Sequence, residues 1–292
     1  MAGIHGDEDE GGGQLYVVAT PIGNLEDITL RALKVLAGVD LVAAEDTRVT
    51  ARLLDHHGIR TRLVSAREHN ELKAAAGIVR ALRAGRSVAL VSDAGTPAVS
   101  DPGAQIVAAV RDAGMRVVPV PGPNAAVAAL SAAGLADEGF VFCGFLPPRA
   151  AARRKALEAL RGESRVLVFY EAPHRILDAV DDLAEVLGRA RRVLVARELT
   201  KLFESLHASA LGAAGAWLRA DANRQRGEFV LVIEGAPAPA AAAGEADMGR
   251  VLGPLLAALP LAQAVRLACE ITGARRNAVY ELALRLKPAA KP

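Results

Sequence analysis

Short apolar runs alternate with amphipathic stretches along most of the chain, starting at residue 14. In the first half the runs predict strands at 14–19, 40–44, 62–65, 87–91 and 115–120. Apolar residues at helical spacing predict helices at 47–56, 70–84 and 103–113, and Asp27 is the predicted cap of an earlier helix that ends at Gly38. Continuous apolar strands that alternate with helices are typical of a mostly parallel sheet covered on both faces.

The alternation restarts after the turn Pro121-Gly122-Pro123. The second series predicts helices at 124–133, 149–160 and 176–187, strands at 140–144, 166–170, 192–197 and 229–233, and an extra strand at 203–208. An Ala/Pro-rich segment then indicates a linker before a wholly helical end. We therefore expect a disordered acidic tail at 1–13, an N-terminal α/β domain at 14–121, a second α/β domain at 122–235, a linker at 236–247 and a helical module at 248–292.

Composition narrows the class of protein. Of the 292 residues, 52% are apolar and 23% are charged, which is typical of a globular protein and excludes a disordered one. The formal net charge of +2 indicates no global basic field. Cys143 and Cys269 lie too far apart in the sequence for a metal or redox motif, and no disulfide framework is present. The longest uncharged run, 117–136, is interrupted by prolines, and the N-terminus has no signal-peptide pattern, so we expect a cytoplasmic protein without a membrane segment.

The loop after the strand at 87–91 is the first candidate ligand site. Residues 92–97 read Ser-Asp-Ala-Gly-Thr-Pro, and Asp101-Pro102-Gly103 follows. Parallel sheets bind ligands at the carboxyl ends of their strands, and small residues let a ligand approach the backbone. The alternative is a plain strand-to-helix connection in which Asp101 caps the helix. The phosphate-binding loop of P-loop NTPases and the G-x-G-x-x-G fingerprint are both absent, which excludes those common α/β enzymes.

Charged residues follow three other predicted strands. Glu45 and Asp46, with Arg48 close by, are either acidic residues at a helix N-terminus or part of a site that meets a substrate hydroxyl. In the second series, one strand ends at Tyr170-Glu171 and the next at Arg197-Glu198. Cations and carboxylates at adjacent strand ends favour a site, and the alternative is a salt-bridged rim.

The C-terminal segment is locally basic. Apolar residues share one face of a helix near 261–268 and one face of a second helix near 279–286. Arg275, Arg276 and Asn277 stand at the start of the second helix, as in a helix-turn-helix. An αα-hairpin that packs only on itself is the alternative, but the positive charge of a tethered module favours nucleic acid.

These motifs, in this order, resemble the tetrapyrrole-methylase-like (class III) S-adenosylmethionine-dependent methyltransferases. Within that superfamily the chain is similar to the RsmI-type bacterial enzymes that methylate a cytidine ribose 2′-oxygen in 16S ribosomal RNA. The resemblance covers nearly the whole chain from Leu15, apart from the Ala/Pro linker. The motifs that carry it include Val18-Ala19-Thr20-Pro21-Ile22-Gly23-Asn24-Leu25, Ala43-Ala44-Glu45-Asp46-Thr47-Arg48, Val91-Ser92-Asp93-Ala94-Gly95-Thr96-Pro97, Ser100-Asp101-Pro102-Gly103, Val120-Pro121-Gly122-Pro123, Phe169-Tyr170-Glu171, Ala196-Arg197-Glu198-Leu199-Thr200-Lys201 and Asn277-Ala278-Val279-Tyr280.

The resemblance implies a fold, a cofactor and three sets of residues. The fold is two consecutive α/β domains with a cofactor cleft between them, plus a small helical C-terminal module, usually in a homodimer. The residues implied to bind S-adenosylmethionine are Pro21, Asp93, Ala94, Gly95, Thr96, Pro97, Asn124, Ala125 and Tyr170. Those expected to handle the hydroxyl proton and position the ribose are Asp46, Arg48, Glu171, Arg197 and Glu198. Those expected to bind RNA are Arg266, Arg275, Arg276 and Asn277.

The expected partner is therefore 16S RNA, free or in the 30S subunit, with no metal site and no membrane. Two other functions stay open at this point. One is a methyltransferase of the same fold that acts on a tetrapyrrole or another small molecule. The other is a non-catalytic RNA-binding protein of ribosome assembly.

Overall fold

The computed structural model describes residues 13–135, 139–237, 244–272 and 276–286. The predicted acidic tail, apart from Gly13, and the middle of the predicted linker lie outside these residues. The chain forms two compact units, one made of residues up to Arg161 with Arg165–Glu234, and one made of Gly162–Ser164 with the residues from Gly235 onward. Both predicted α/β domains therefore fall in the first unit, and a domain boundary near residue 121 stays a prediction.

The first sheet has five parallel strands in the order β3-β2-β4-β1-β5. Its strands are β1 (Leu15–Val18), β2 (Leu41–Ala44), β3 (Leu63–Ser65), β4 (Val88–Val91) and β5 (Val117–Val120). Because all five run in one direction, the loops that follow β1, β2 and β4 meet at one edge of the sheet. That edge carries most of the residues that the sequence marks as a site.

Helices cover both faces of this sheet. They are α1 (Leu30–Gly38), α2 (Thr47–His56), α3 (Glu71–Arg83) and α4 (Ala104–Asp112), with short 3-10 helices at Leu25–Asp27 and Glu68–Asn70. Successive β2 residues face opposite sides, so Val42 joins one apolar core and Ala43 the other. The predicted cap of α1 is wrong: Asp27 lies in a 3-10 helix, and the Oγ1 atom of Thr29 accepts from the Ala32 amide at 3.1 Å.

The second sheet is mixed, in the order β6-β7-β10-β8-β9. Its strands are β6 (Phe140–Phe145), β7 (Val166–Glu171), β8 (Arg192–Arg197), β9 (Ser205–Ala210) and β10 (Phe229–Ile233). Only β6 and β7 are parallel, so the expectation of a mostly parallel sheet is wrong here. The physical reason is that β10 lies between β7 and β8 and runs against both, and a buried apolar run looks the same in either direction.

Four helices accompany this sheet, namely α5 (Ala125–Ala133), α6 (Ala150–Leu160), α7 (Ile176–Leu187) and α8 (Leu211–Arg219). The sequence pattern did not predict α8, nor the 3-10 helix at Ala222–Gln225 that follows it. Phe169, Phe229 and Leu231 lie in the core beside α7 and α8. A buried ion pair, with Arg153 Nε 2.6 Å from Asp182 Oδ2, ties α6 to α7.

The second unit forms three helices in its described residues from 244 onward, which agrees with the helical structure predicted for 248–292. It contains α9 (Gly244–Ala258), α10 (Leu261–Thr272) and α11 (Arg276–Leu286), which enclose their own apolar core. Helix α9 includes residues 244–247, which were assigned to the linker; the Glu-Ala-Asp sequence at 245–247 has no Gly or Pro that would end a helix. No helix in the described part of the chain is long and apolar enough to cross a membrane.

Candidate functional site

A cavity of about 350 Å³ lies in the first unit, enclosed by strand-end loops of both sheets. Its volume falls within the range of sites that bind small molecules and cofactors. The wall is largely apolar, with a few polar groups. The lining residues are Ile22, Ala94, Gly95, Thr96, Val99, Ser100, Asp101, Asn124, Ala125, Phe145, Tyr170, Glu171, Ala172, Pro173, Leu199, Glu228, Phe229 and Val230.

The loop between β4 and α4 forms one wall of the cavity in an unusual backbone conformation. Gly95 and Gly103 have φ angles of +78° and +131°, and Ala98 and Ser100 have φ angles of +66° and +62°. A non-glycine residue in this region costs on the order of 1–3 kcal/mol, so surrounding contacts must hold it. Gly95 supplies one such contact, because it exchanges backbone hydrogen bonds of 2.8 and 3.0 Å with Thr20 after β1.

Two further contacts fix the same loop. The Thr96 hydroxyl donates to the Pro123 carbonyl at 3.1 Å, which ties the loop to the start of α5. The buried Glu71 carboxylate accepts from the amides of Gly103 and Gln105, both at 2.9 Å. Glu71, and not Asp101, therefore satisfies the amides at the start of α4, so the interpretation of Asp101 as the helix cap is wrong. Asp101 lies on the cavity wall instead.

Tyr170, at the end of β7, joins the second sheet to α5. Its phenol oxygen accepts from the Ala126 amide at 3.2 Å, and the rings of Phe142 and Phe145 meet its ring edge-on. Asn124 caps α5, because its Oδ1 atom accepts from the Val127 amide at 3.1 Å. Burial raises the pKa of Tyr170, so the phenol stays neutral at physiological pH.

Asp101, on the cavity wall, is a carboxylic acid with a raised pKa. Burial, and then the nearby carboxylates of Glu45 and Asp93, raise its pKa to about 6 against the opposing effect of a hydrogen bond from Ser92. The residue was not among those expected to bind the cofactor or to take part in catalysis, although it stands in a motif that carries the family resemblance. No local signal in the sequence separated it from an ordinary helix cap.

Asp46, one of the expected catalytic residues, forms an ion pair with Arg48. Arg48 binds both carboxylate oxygens, with Nη2–Oδ2 and Nε–Oδ1 distances of 2.6 and 3.1 Å. These hydrogen bonds, with one from the Arg48 amide, hold the pKa of Asp46 well below its usual range. The Asp46 amide in turn donates to Asp93 Oδ1 at 2.9 Å, which joins the loops after β2 and β4. Asp46, Arg48 and Asp93 do not line the cavity.

Glu171 lines the cavity, and its carboxylate forms an ion pair with Arg175. Its side chain is fully buried, and its Oε1 atom lies 3.1 Å from Arg175 Nε and accepts from the Ala172 amide at 2.8 Å. Arg175 also donates to the Leu146 carbonyl. The pair therefore fixes the turn after β7 against the segment that follows β6.

The loops after β8 and before β10 form a third charged cluster. Lys201 Nζ lies 2.9 Å from both Glu198 Oε1 and Glu228 Oε2. Burial works to raise the pKa of Glu198, but the hydrogen bonds from Lys201 and from the Glu228 amide outweigh it, so this pKa lies below its ordinary value. Arg197 donates to two backbone carbonyls, those of Arg226 and Phe203. Glu198 and Arg197 do not line the cavity, whereas Glu228 does.

The structure thus places part of the expected set on the cavity wall and part outside it. On the wall are Ala94, Gly95, Thr96, Asn124, Ala125, Tyr170 and Glu171. Outside it are Pro21, Asp93, Pro97, Asp46, Arg48, Arg197 and Glu198. The wall residues that sequence reasoning missed are mostly apolar, such as Ile22, Phe145 and Val230, and an apolar residue in a loop carries no chemical signal of its own.

The expected RNA-binding residues lie in the second unit. The Arg266 side chain on α10 is 72% exposed, and its Nε atom lies 3.9 Å from Glu270. Arg276 and Asn277 are exposed at the start of α11. Arg275 lies outside the described residues. Two amphipathic helices with cations exposed at the start of the second suit contacts with a phosphate backbone.

Comparison with known proteins gives a family for both units. Residues 14–215 match the family described as Tetrapyrrole (Corrin/Porphyrin) Methylases, and residues 242–287 match the RsmI C-terminal HTH domain. The chain is 51% identical over 280 residues to "Ribosomal RNA small subunit methyltransferase I" of Escherichia coli O157:H7, covering 96% of this chain and 98% of that one. It is also 51% identical to the protein of the same name from Pseudomonas aeruginosa, over 94% and 97% of the two chains.

Solved structures agree in fold. A uroporphyrin-III-C-methyltransferase from Thermus thermophilus has a TM-score of 0.56 at 22% identity and covers 76% of this chain and 94% of its own. The methyltransferase CobJ has a TM-score of 0.58 at 21% identity, with coverage of 77% and 95%. At these identities the likeness establishes the architecture alone. With the sequence relatives it leads to one conclusion: the chain belongs to the tetrapyrrole (corrin/porphyrin) methylase family, in the group of proteins named ribosomal RNA small subunit methyltransferase I.

Proposed function

We propose that the protein transfers the methyl group of S-adenosylmethionine to the ribose 2′-oxygen of a cytidine in the 16S RNA of the small ribosomal subunit. The observation that carries the proposal is a cofactor-sized cavity in a chain that is 51% identical, over 96% of its length, to a protein named ribosomal RNA small subunit methyltransferase I. The match of the C-terminal segment to the helix-turn-helix domain of the same group favours RNA over a small-molecule acceptor.

The cavity suits this donor in shape and chemistry. Ile22, Phe145 and Leu199 offer apolar surface for a purine, and Asp101 offers a carboxylate for a cationic group. A solved structure of the same fold, at 20% identity and with a TM-score of 0.55, is a uroporphyrin-III C-methyltransferase complexed with S-adenosylhomocysteine. We infer that the residues that hold the donor are Ala94, Gly95, Thr96, Asp101, Asn124, Ala125 and Tyr170. When bound, the donor supplies an already activated methyl group on a positively charged sulfur.

The residues around the cavity then have two tasks, to orient the reactants and to keep them still. The contacts of Gly95 with Thr20, and of Tyr170 with Ala126, fix the two walls before any ligand arrives. Such positioning contributes about 7–11 kcal/mol of barrier reduction in well-oriented reactions. Asp46, Glu171 and Glu198 each bind a cation, so we infer that they act mainly by holding the strand-end loops.

Single substitutions test this assignment. Asp46→Ala and Glu198→Ala are expected to lower turnover while donor affinity persists, because Arg48 and Lys201 lose the carboxylates that hold them in the strand-end loops. Full turnover in both variants, with donor binding intact, would contradict a part for Asp46 and Glu198 in holding the loops or in positioning the ribose.

The second unit is proposed to bind the RNA, mainly at phosphates, through Arg266, Arg276, Asn277 and, outside the described residues, Arg275. Binding should therefore weaken as salt rises. We further propose that the protein works in the cytoplasm as a homodimer, on 16S RNA that is free or part of the 30S subunit.

The first experiment incubates the purified protein with radiolabelled S-adenosylmethionine and 30S subunits that lack the modification. Primer extension sensitive to ribose methylation then maps the label. One labelled cytidine ribose in 16S RNA is the expected result. Label on a base, or no label on RNA despite measurable donor binding, would contradict the proposal and favour a small-molecule acceptor or an assembly protein.

A further inference from the structure

The charges on the cavity wall are unbalanced at one position. The lining residues include three carboxylates, those of Asp101, Glu171 and Glu228, and no Lys or Arg. Glu171 is compensated by Arg175 at 3.1 Å, and Glu228 by Lys201 at 2.9 Å. For Asp101 the charged groups that shift its pKa are two further carboxylates, those of Glu45 and Asp93.

The surroundings of Asp101 can be named element by element. From the loop after β2, Glu45 repels its negative charge, and Asp93 does the same from the loop after β4. The Ser92 hydroxyl donates a hydrogen bond to it, and from β7 the neutral phenol of Tyr170 lies close enough for Asp101 to affect its pKa. An ionised carboxylate among these groups lacks a counter-charge, and a cationic ligand in the cavity would supply one.

We propose that Asp101 is a specificity-determining residue that makes the cavity favour the positively charged methyl donor over its neutral, demethylated product. This inference rests on the proposed function, namely that the cavity binds S-adenosylmethionine. Donor and product share the adenosine and the amino-acid portion, and they differ by the methyl group and by the charge on sulfur. A carboxylate without another counter-charge attracts the sulfonium of the donor and gains nothing from the thioether of the product. Loss of that attraction after transfer favours product release.

The pH dependence of binding follows from linkage. The pKa of Asp101 in the free protein is about 6. A bound cation favours the ionised form and lowers this pKa, so donor affinity is complete above about pH 6 and falls as the carboxyl protonates below it. If the bound cation makes Asp101 about tenfold more acidic, donor affinity falls about tenfold across that window, because proton binding and donor binding oppose each other by the same factor. The neutral sulfur of the product exerts no such effect.

Calorimetry on the full-length protein tests the inference. The ligands are S-adenosylmethionine, S-adenosylhomocysteine and an analogue with an ammonium group in place of the sulfonium. In the wild type, the preference for the two cationic ligands should fall about fivefold between neutral pH and about pH 5, and close to tenfold by about pH 4. In Asp101→Asn, which keeps the size and one acceptor oxygen but cannot ionise, the preference should be about tenfold lower at neutral pH and no longer depend on pH. Asp112→Asn, at the exposed end of α4, is the matched control and should behave as the wild type.

Each other outcome overturns the inference in a recognisable way. Equal weakening of donor and product by Asp101→Asn would mean that Asp101 attracts a charge common to both. An unchanged preference with lost turnover would make it a proton acceptor or a structural group. If the variant fails to fold, the wild-type pH dependence decides alone, and a flat preference from neutral pH to about pH 5 rejects the inference. A wild type that binds neither ligand would reject the proposed cofactor as well.

Discussion

The carboxylate of Glu71 on α3 accepts a hydrogen bond of 2.9 Å from the amide of Gly103, 32 positions further along the chain. The same oxygen accepts from the Gln105 amide. A buried acid on one helix thereby satisfies the first amides of another, and it holds the end of the loop that carries Asp101. The wall of the cavity depends on a residue that never touches the cavity.

Removal of this anchor should therefore affect stability and binding together. Glu71→Ala leaves the buried Gly103 amide and the part-buried Gln105 amide without an acceptor. We expect a loss of about 2–4 kcal/mol in the free energy of unfolding, because each hydrogen bond to a charged group contributes about 1.5–3 kcal/mol. Glu71→Gln keeps a carbonyl oxygen and should lose less. Denaturant unfolding measures the stability, and calorimetry measures donor affinity, which should fall in the same order. Equal stability of Glu71→Ala and the wild type would contradict this account.

Tyr170 provides a prediction on the opposite wall. Tyr170→Phe keeps the ring that meets Phe142 and Phe145 but removes the acceptor of the Ala126 amide. We expect a loss of about 0.5–1.5 kcal/mol in stability, as for one ordinary hydrogen bond. Donor affinity should fall several-fold, because the start of α5 is less firmly placed. Calorimetry checks this, with Tyr280→Phe on the exposed surface of α11 as the control. Identical donor affinity in Tyr170→Phe and the wild type would show that the phenol does not order the site.

The sequence predicted most elements of the fold because the signals are local. Buried runs such as β8 and β10, and helices such as α2 and α7, have the predicted bounds. The direction of β10 was not predictable, since strand pairing depends on contacts between distant segments and an apolar run does not encode it. Helix α8 was missed because its small residues, Gly212 and Gly215 among them, weaken the helical signal.

The site was predictable only in part, for a similar reason. Gly95 and Thr96 were found because small residues after a strand mark a ligand loop. Asp101 was not, because its position on the wall depends on Glu71, which replaces it as the helix cap from far along the chain. Asp46 and Glu198 have carboxylates that suit catalysis. The structure shows that Arg48 and Lys201 form ion pairs with them, and the sequence showed these cations only as nearby residues.

Gly227 tests the packing of the third charged cluster. Its φ angle is +90°, and an added Cβ would lie 2.4 Å from the Glu198 side chain. Gly227→Ala should therefore lower stability by about 1–3 kcal/mol through backbone strain and should displace Glu198 from Lys201. Gly38→Ala, where an added Cβ meets nothing within 4 Å, should be neutral or slightly stabilising. Thermal unfolding compares the two variants, and a stable Gly227→Ala would mean that the loop accommodates the side chain.

The exposed arginines of the second unit make a prediction about salt. Arg266→Gln and Arg276→Gln should each weaken RNA binding and reduce the slope of log affinity against log salt by about one, as for the loss of one phosphate contact. Donor affinity should not change. Arg111→Gln on the exposed end of α4 serves as the control.

Deletion of residues 245–292 should likewise spare donor binding, and loss of donor binding in that variant would assign the unit a structural part instead.

The carboxylate of Asp101 should make the donor-free protein less stable at neutral pH. Burial and Glu45 raise its pKa from 3.8 to about 6 on folding, so between these values the native state binds more protons than the unfolded chain. Stability therefore decreases as pH rises through this window and stays lower above it.

Asp101→Asn cannot ionise, so the donor-free variant should be more stable than the wild type near pH 7.5 by about 1 kcal/mol after allowance for partial exposure. That advantage should disappear as pH falls toward about 4. Urea unfolding at both pH values measures it, with Asp112→Asn as the control. A variant less stable than the wild type at neutral pH would show that contacts in the protein stabilise the carboxylate without a ligand.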